Sequence, residues 1–220
     1  MNRILKRKKR GKSKIGSIIA NHIINNKKNY LISTLLFLVG LIIGIMFINN
    51  INDIQYKEIS EYIQKLVTNI KSVEKINYIK LLKESFESNF ILVIVIWLAS
   101  STIIGIPIVY GLIAFRGFVF GYTISSILSS IGIGYGIIFS LCSLLLHNII
   151  FIPVLLATSV SGMKLYKSII KNREKQNIKV EFIRHTLFCT IMLLLLVISS
   201  LIEVYISTNL CKIIVNYIKF

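Results

Sequence analysis

Acidic side chains are scarce in this sequence. The 220-residue chain has only nine Asp and Glu residues against 26 Lys and Arg residues, and 55% of its residues are hydrophobic. Charged residues make up 16% of the chain, whereas soluble domains typically contain about 25%. The charges are also confined to a few segments. This composition excludes an ordinary soluble domain and indicates a membrane protein.

Motifs that carry chemistry are missing as well. The sequence has no Walker loop, no HExxH helix and no GxSxG nucleophile turn. Its cysteines, Cys142, Cys189 and Cys211, show no CxxC spacing, so neither a disulfide nor a metal site is predicted. With no nucleophile, metal or acid-base pair to assign, we expect neither an enzyme nor a cofactor.

The net charge of +17 does not indicate nucleic-acid binding. Ten of the basic residues lie within residues 1–28, directly before the first uncharged block, and no recognition motif accompanies them. We therefore expect no nucleic-acid partner. Anionic lipid headgroups are the expected partner of the basic cytoplasmic segments, above all of Lys6 to Lys14.

Four uncharged blocks are long enough to cross the hydrocarbon layer, which takes about 17 to 25 helical residues. They are Asn29–Asn52, Ser88–Phe115, Gly117–Met163 and His185–Ile202, with 24, 28, 47 and 18 residues. As one helix, the third block would be about 70 Å long. It must therefore contain two crossings and a turn, which Gly132, Gly134 and Gly136 mark.

The predicted fold class is an all-α polytopic membrane protein with about five transmembrane helices and an extracytoplasmic helical loop. The expected spans are residues 30–48, 88–113, 117–131, 133–160 and 186–206, within a membrane domain of residues 30–206. The remaining segments are a basic tail (1–29), an outer loop (49–87), a cytoplasmic loop (161–185) and an outer tail (207–220).

The distribution of Lys and Arg predicts the orientation, because basic residues beside span ends stay in the cytoplasm. Residues 1–28 hold ten basic and no acidic residues, and residues 161–185 hold seven basic and two acidic residues. Arg116 lies between the expected second and third spans, where Arg116-Gly117 would form a tight inner turn. We therefore expect a cytoplasmic N-terminus and an outer C-terminus.

The outer loop carries an amphipathic helix pattern from about Glu58 to Phe86. Its apolar residues recur at every third or fourth position: Ile59, Ile63, Leu66, Ile70 and Val73. The stripe then drifts around the helix, which predicts a bend or a second helix near Asn77. Such a stripe packs on its own protein or on the bilayer surface, or it docks a partner.

His147 and Asn148 fall near the middle of the expected fourth span, where a polar side chain needs a partner. Two interpretations are open: a relay or substrate contact, and interhelical hydrogen bonding that fixes packing. The second is favoured because no intramembrane acid is expected beside them. Glu203 follows Arg184 by 19 residues, which is about 28 Å of helix, so we expect it to reach the outer headgroups.

The sequence also predicts two helix breaks and contains three pairs of small residues. Gly105-Ile106-Pro107 and Pro153 would interrupt the second and fourth spans, because each proline removes a helix hydrogen bond. The pairs, each four residues apart, are Gly40 with Gly44, Gly117 with Gly121, and Ser125 with Ser129. This spacing lets helices approach closely, either within the chain or in a homo-oligomer.

Two segments resemble the stage II sporulation protein M family. They are Ala114-Phe115-Arg116-Gly117-Phe118-Val119-Phe120-Gly121 and, after the Gly-rich turn, Leu146-His147-Asn148-Ile149-Ile150-Phe151-Ile152-Pro153. The resemblance covers nearly the whole chain. The positions that match the family, and that are the candidate structural or functional residues, are Arg116, Gly117, Gly121, His147, Asn148 and Pro153. The resemblance implies no catalytic role for them.

The resemblance implies a non-catalytic membrane scaffold in endospore formation. Such a scaffold anchors septal peptidoglycan-degrading enzymes, stage II sporulation proteins D and P, during forespore engulfment. The implied location is the septal or engulfing membrane of the mother cell. An alternative is a membrane permease or transporter subunit, favoured by the proline breaks and the midplane polar residues. A third hypothesis, an intramembrane lipid enzyme, has least support because His147 has no carboxylate assigned to it.

Overall fold

Helices dominate because the backbone of a membrane protein must satisfy its own hydrogen bonds in hydrocarbon. The computed structural model describes residues 21–72, 76–102, 104–171 and 178–218. The helices are α1 (Lys27–Asn49), α2 (Asp53–Ser72), α3 (Tyr78–Ser100), α4 (Gly105–Ile131), α5 (Ile133–Ser140), α6 (Leu146–Lys171), α7 (Ile178–Ile202) and α8 (Thr208–Val215). No strand occurs in these ranges, and the all-α membrane fold is confirmed.

Two short π-helical segments extend the later helices. Leu141–Leu145 joins α5 to α6, and Glu203–Ser207 joins α7 to α8. Among the residues that the structure describes, four segments are long and apolar enough to cross a membrane: Lys27–Asn49, Gly105–Ile131, Ile133–Ile170 and Ile178–Val215. The last two have 38 residues each, about 57 Å of helix, so part of each extends beyond the hydrocarbon.

The beginning of α1 meets the end of α6 and the beginning of α7, and we call this side of the bundle the basic end. There Lys167 Nζ donates to Asn29 Oδ1 at 3.0 Å, and the His22 ring stacks on Phe188 with centroids 5.3 Å apart. The opposite side, where α2 lies, is the far end. The predicted orientation would place the basic end in the cytoplasm.

Helices α1 and α4 run parallel and touch through their backbones. A Cβ atom added to Gly40 would lie 2.0 Å from the Ala114 oxygen, and one added to Gly117 would lie 2.1 Å from the Phe37 oxygen. At Gly44 and Gly121 an added Cβ atom would lie 2.2 Å from a backbone oxygen of the other helix. Close approach of this kind requires glycine. The glycine pairs therefore pack within the chain.

The predicted inner turn at Arg116-Gly117 is wrong. Helix α4 continues from Gly105 to Ile131, so the expected spans 88–113 and 117–131 are replaced by α3 and α4. Gly117 packs against α1 instead, and Arg116 lies in the middle of the α4 span. The expected short third span accordingly does not occur.

The chain turns instead between α3 and α4, after a run of hydroxyl residues. The side chains of Ser100, Ser101 and Thr102 donate to backbone oxygens of the last turn of α3 at 2.6, 3.0 and 2.8 Å. Gly105-Ile106-Pro107 begins α4, so the predicted break within a span is also wrong. In the first helical turn a proline loses no intrahelical bond. Pro153 lies inside α6, which continues to Lys171.

Two turns were predicted correctly. Gly132 separates α4 from α5 with a φ of 88°, a left-handed conformation that favours glycine. Gly134 and Gly136 lie within α5. Asn77 precedes α3 and caps it, because its Oδ1 accepts from the Lys80 amide at 3.1 Å.

Apolar side chains form two clusters. One lies in the membrane bundle between α1, α3, α4, α6 and α7 and includes Ile96, Ile113 and Leu155. The other lies at the far end, where Ile63 and Val67 of α2 pack with residues of α5 and α8. The amphipathic stripe of α2 thus packs on its own protein.

Helix α3 runs from the far end towards the basic end beside α6 and α7. Its first half carries the ion pairs Lys80–Glu84 and Lys83–Glu87, and its uncharged part is Ser88–Ser100. With α3 counted, the chain passes between the two ends five times. The number of membrane crossings, the segment boundaries and the orientation of the termini stay predictions.

Several sequence-based predictions lie outside the described residues. They concern Lys6 to Lys14, Val73, and Lys219 of the outer tail, as well as residues 172–177 of the cytoplasmic loop.

Candidate functional site

A polar cavity of about 220 Å³ lies between α3, α4, α6 and the π-helical segment after α7. We call it the intramembrane cavity. Its polar lining residues are Ser85, Ser88, Asn89, Arg116, Thr123, His147, Asn148 and Glu203. Three of the predicted site residues, Arg116, His147 and Asn148, therefore meet at one place. Gly117 and Gly121 do not line it, since they face α1, and Pro153 follows it along α6.

Glu203 is the acidic group of this cavity. Ser85 Oγ lies 2.5 Å from Glu203 Oε2 and 3.0 Å from Ser200 Oγ. Because a carboxylate only accepts, Ser85 donates to Glu203 and accepts from Ser200. Asn89 Nδ2 in turn donates to Ser200 Oγ at 2.9 Å. A hydrogen-bond chain thus links α3 to the end of α7.

His147 approaches the same carboxylate from α6. Its Nδ1 lies 3.3 Å from Glu203 Oε2 and 2.9 Å from Ser199 Oγ. Ser199 Oγ also donates to the His147 backbone oxygen at 3.0 Å. Because the Glu203 carboxylate only accepts, the ring proton of His147 lies on Nδ1 and is donated to Glu203. Ser199 Oγ is a second acceptor for the same proton. His147 fixes α6 against α7 through these bonds.

Arg116 lies on the other side of the cavity. Its Cζ is 5.4 Å from the centroid of the Phe151 ring, a cation–π distance. Helix α4 cannot rotate freely because Gly117 is held against α1, and this directs Arg116 towards α6. Among the described residues Arg116 has no ion-pair partner. A cation within a membrane span is costly, and such residues commonly mark functional sites.

Asn148 bonds within its own helix. Its Nδ2 donates to the Leu144 backbone oxygen at 2.7 Å, directly after the π-helical segment that joins α5 to α6. π-Helical turns inside α-helices often accompany functional sites. The other π-helical segment begins at Glu203. The two irregular segments therefore flank the polar groups of the cavity.

The prediction that no acidic group lies beside His147 is wrong, whereas the position of Glu203 at the outer headgroups stays a prediction. Helices α7 and α8 continue as one rod to Val215, so Glu203 lies well before the end of the rod and beside α6. His147 does have a carboxylate neighbour, which removes the sequence-based argument against a proton relay. A signal was present in the sequence: Ser199, Ser200, Glu203 and Ser207 recur at helical spacing in an otherwise apolar segment.

The cavity has features of a binding site. It offers one cation, one carboxylate, one imidazole and several hydroxyl and amide groups. No tyrosine is among the described residues that line it. Within the described ranges, no group of three or more His, Cys, Asp or Glu side chains is placed to hold a metal ion.

Comparison with known proteins gives three results. The family model described as stage II sporulation protein M matches residues 33–208. The chain is also 29% identical to an uncharacterized protein of Methanocaldococcus jannaschii over 190 residues, which is 82% of this chain and 94% of that protein. No solved structure matches. Since the family model covers both the first span and the polar residues of the cavity, this chain belongs to the stage II sporulation protein M family.

Proposed function

We propose that this protein is a non-catalytic membrane scaffold in endospore formation, which anchors septal peptidoglycan-degrading enzymes during forespore engulfment. Family membership supports the coarser statement that it is a sporulation-related membrane protein. The proposed partners are stage II sporulation proteins D and P. The proposed site of action is the septal or engulfing membrane, with the far end facing the wall.

The observation that carries this proposal is the ordered layer at the far end. Tyr56 OH of α2 donates to the Ser129 backbone oxygen at 2.7 Å, and Lys71 Nζ donates to the Ile218 backbone oxygen at 2.6 Å. These bonds and the buried side chains of Ile63 and Val67 hold α2 on the bundle. A fixed platform suits docking, because little conformational entropy is lost on binding.

This layer also exposes large apolar side chains. Ile54, Tyr62, Ile79 and Tyr217 are 75%, 66%, 81% and 67% exposed. Tyr62 lies beside a shallow groove along α2 that Leu66 and Ile70 also line. Lipid acyl chains are not expected to cover this surface, because α2 also carries charged residues such as Glu58 and Glu61. Exposed apolar groups with a polar rim are typical of protein docking surfaces.

Co-purification from sporulating cells tests the proposal. Tagged protein is expected to recover peptidoglycan-degrading enzymes, and Tyr62→Glu is expected to lose most of them. Gln64→Glu is the matched control, because it adds the same charge to an exposed position of α2 without removing an apolar group. Equal recovery with both variants would exclude α2 as the docking surface, and recovery of no such enzyme with the unmodified protein would overturn the scaffold.

A permease or transporter subunit is the second candidate, and the intramembrane cavity favours it. Polar and charged side chains at the midplane are characteristic of substrate and ion pathways. This function predicts saturable flux of a small polar solute into liposomes. Arg116→Gln and His147→Ala should abolish that flux while the protein stays folded. Absence of flux for every candidate solute would leave the scaffold as the function.

A further inference from the structure

A second cavity, of about 760 Å³, lies at the basic end of the bundle. We call it the basic-end cavity. It lies between the first turn of α1, the last turns of α6 and the first turns of α7, and it shares no lining residue with the intramembrane cavity. Its volume falls within the range of about 300 to 1,000 Å³ that is common for ligand sites.

Basic side chains surround this cavity. They are Lys27, Lys28, Lys164, Lys167 and Arg184. Glu181 is the one acidic residue among the described residues that line the cavity, and its Oε1 accepts from Arg184 Nη1 at 2.6 Å. Lys167 is held by Asn29. Lys27, Lys28 and Lys164 have no hydrogen-bond or ion-pair partner among the described residues.

The positive charge of Lys164 acts on a neighbouring group of the cavity. His22 lines the same cavity, and its pKa is lowered first by burial and then by the positive charge of Lys164. Because the basic lining residues outnumber the acidic one among the described residues, the cavity carries an excess of positive charge that an anion would neutralise.

The floor of the cavity is buried and polar. Asn26, Asn29, Ser161 and His185 are each less than one-tenth exposed, and Ser161 Oγ lies 3.0 Å from His185 Nδ1. Asn26 makes no side-chain cap to the first turn of α1. Because Asn26, Lys27, Lys28 and Asn29 all line the cavity, the positive end of this helix dipole and the first N–H groups of the helix are at its wall. The first turn of α1 thus adds neutral donors to the charges of the lysines.

We propose that the basic-end cavity binds a phosphate group, carried either by the headgroup of an anionic phospholipid or by free phosphate. Lysines act on a phosphate as point charges, and helix N-terminal amides supply directed hydrogen bonds. The cavity opens at the end of the membrane bundle, where its apolar lining residues Ile24 and Phe188 would also meet acyl chains. Basic pockets between membrane helices are suited to anionic headgroups.

The test uses the full chain in phosphatidylcholine nanodiscs. One arm measures retention of phosphatidylglycerol by native mass spectrometry, and the other measures binding of inorganic phosphate by calorimetry. Lys27→Gln combined with Lys164→Gln removes two charges and should weaken binding by about thirtyfold. Lys164→Arg alone should retain binding, because it keeps the charge.

Lys57→Gln combined with Lys65→Gln is the matched control. Both lysines are exposed on α2 at the far end, so the control makes the same change in net charge without touching the cavity. Binding of phosphatidylglycerol alone, lost only in the cavity variant, would identify the lipid headgroup as the source. Binding of inorganic phosphate with the same dependence would identify free phosphate. Absence of both, or equal loss in the control, would overturn the proposal.

Discussion

His147 Nδ1 lies 3.3 Å from the Glu203 carboxylate, although the two residues are 56 positions apart in the sequence. This contact joins α6 to the π-helical segment after α7 and closes one side of the intramembrane cavity. The His147 side chain is 14% exposed and that of Glu203 is 38% exposed, so the contact is only partly shielded. Its contribution to stability is therefore open to direct measurement.

The two side chains should be energetically coupled. We expect His147→Ala and Glu203→Gln each to destabilise the protein, and the double-mutant cycle to give a coupling of about 0.5–2 kcal/mol. Reversible unfolding in mixed detergent micelles measures it. Asn148→Ala combined with Glu203→Gln is the control, because Asn148 bonds within its own helix and its effect should add. Additivity in both cycles would contradict the contact.

The parallel contact between α1 and α4 should depend on Gly117. A Cβ atom there would lie 2.1 Å from a backbone oxygen of α1, so the helices must separate, and we expect Gly117→Ala to cost about 1–3 kcal/mol of unfolding free energy. Gly111→Ala on the same helix is the control, because a Cβ atom there meets nothing within 4 Å. Equal effects in thermal or denaturant unfolding would contradict the packing.

His22 should titrate below its ordinary pKa of 6.5, because burial and Lys164 both disfavour the charged imidazole. The free energy of unfolding therefore does not depend on this group well above pH 6.5 and decreases as the pH falls below 6.5, because the unfolded chain binds the proton more readily. NMR titration of the imidazole signals measures this pKa. In Lys164→Gln the pKa should rise but stay below 6.5, since burial is the larger cause. If Lys164→Gln left the pKa of His22 unchanged, the charge of Lys164 would not be a cause of the lowered pKa.

Much of the fold follows from local composition. The first span, the turn at Gly132 and the helix break near Asn77 were predicted from uncharged length, from glycine and from the drift of an apolar stripe around the helix. Each of these features depends on a few consecutive residues and on the cost of leaving backbone groups unpaired in hydrocarbon. The amphipathic helix α2 follows from its periodicity in the same way.

Arg116 shows where such reasoning fails. A lone Arg in an apolar stretch was interpreted as the end of a span, and the Gly after it as a turn. In the structure Phe151, on another helix, shields the guanidinium, and Gly117 receives the backbone of α1. The true turn was marked by Ser100, Ser101 and Thr102, whose hydroxyls compete for helix carbonyls.

The sequence by itself determined that lipid is the main solvent of this protein, that its segments are helical, and that basic residues gather at particular segment ends. Only the tertiary structure decided that Arg116, His147 and Glu203 share one cavity and that distant lysines surround another. The reason is geometric. The hydrophobicity of a segment determines whether it crosses the membrane as a helix. The rotation and tilt of that helix are set by packing against helices far away in the sequence.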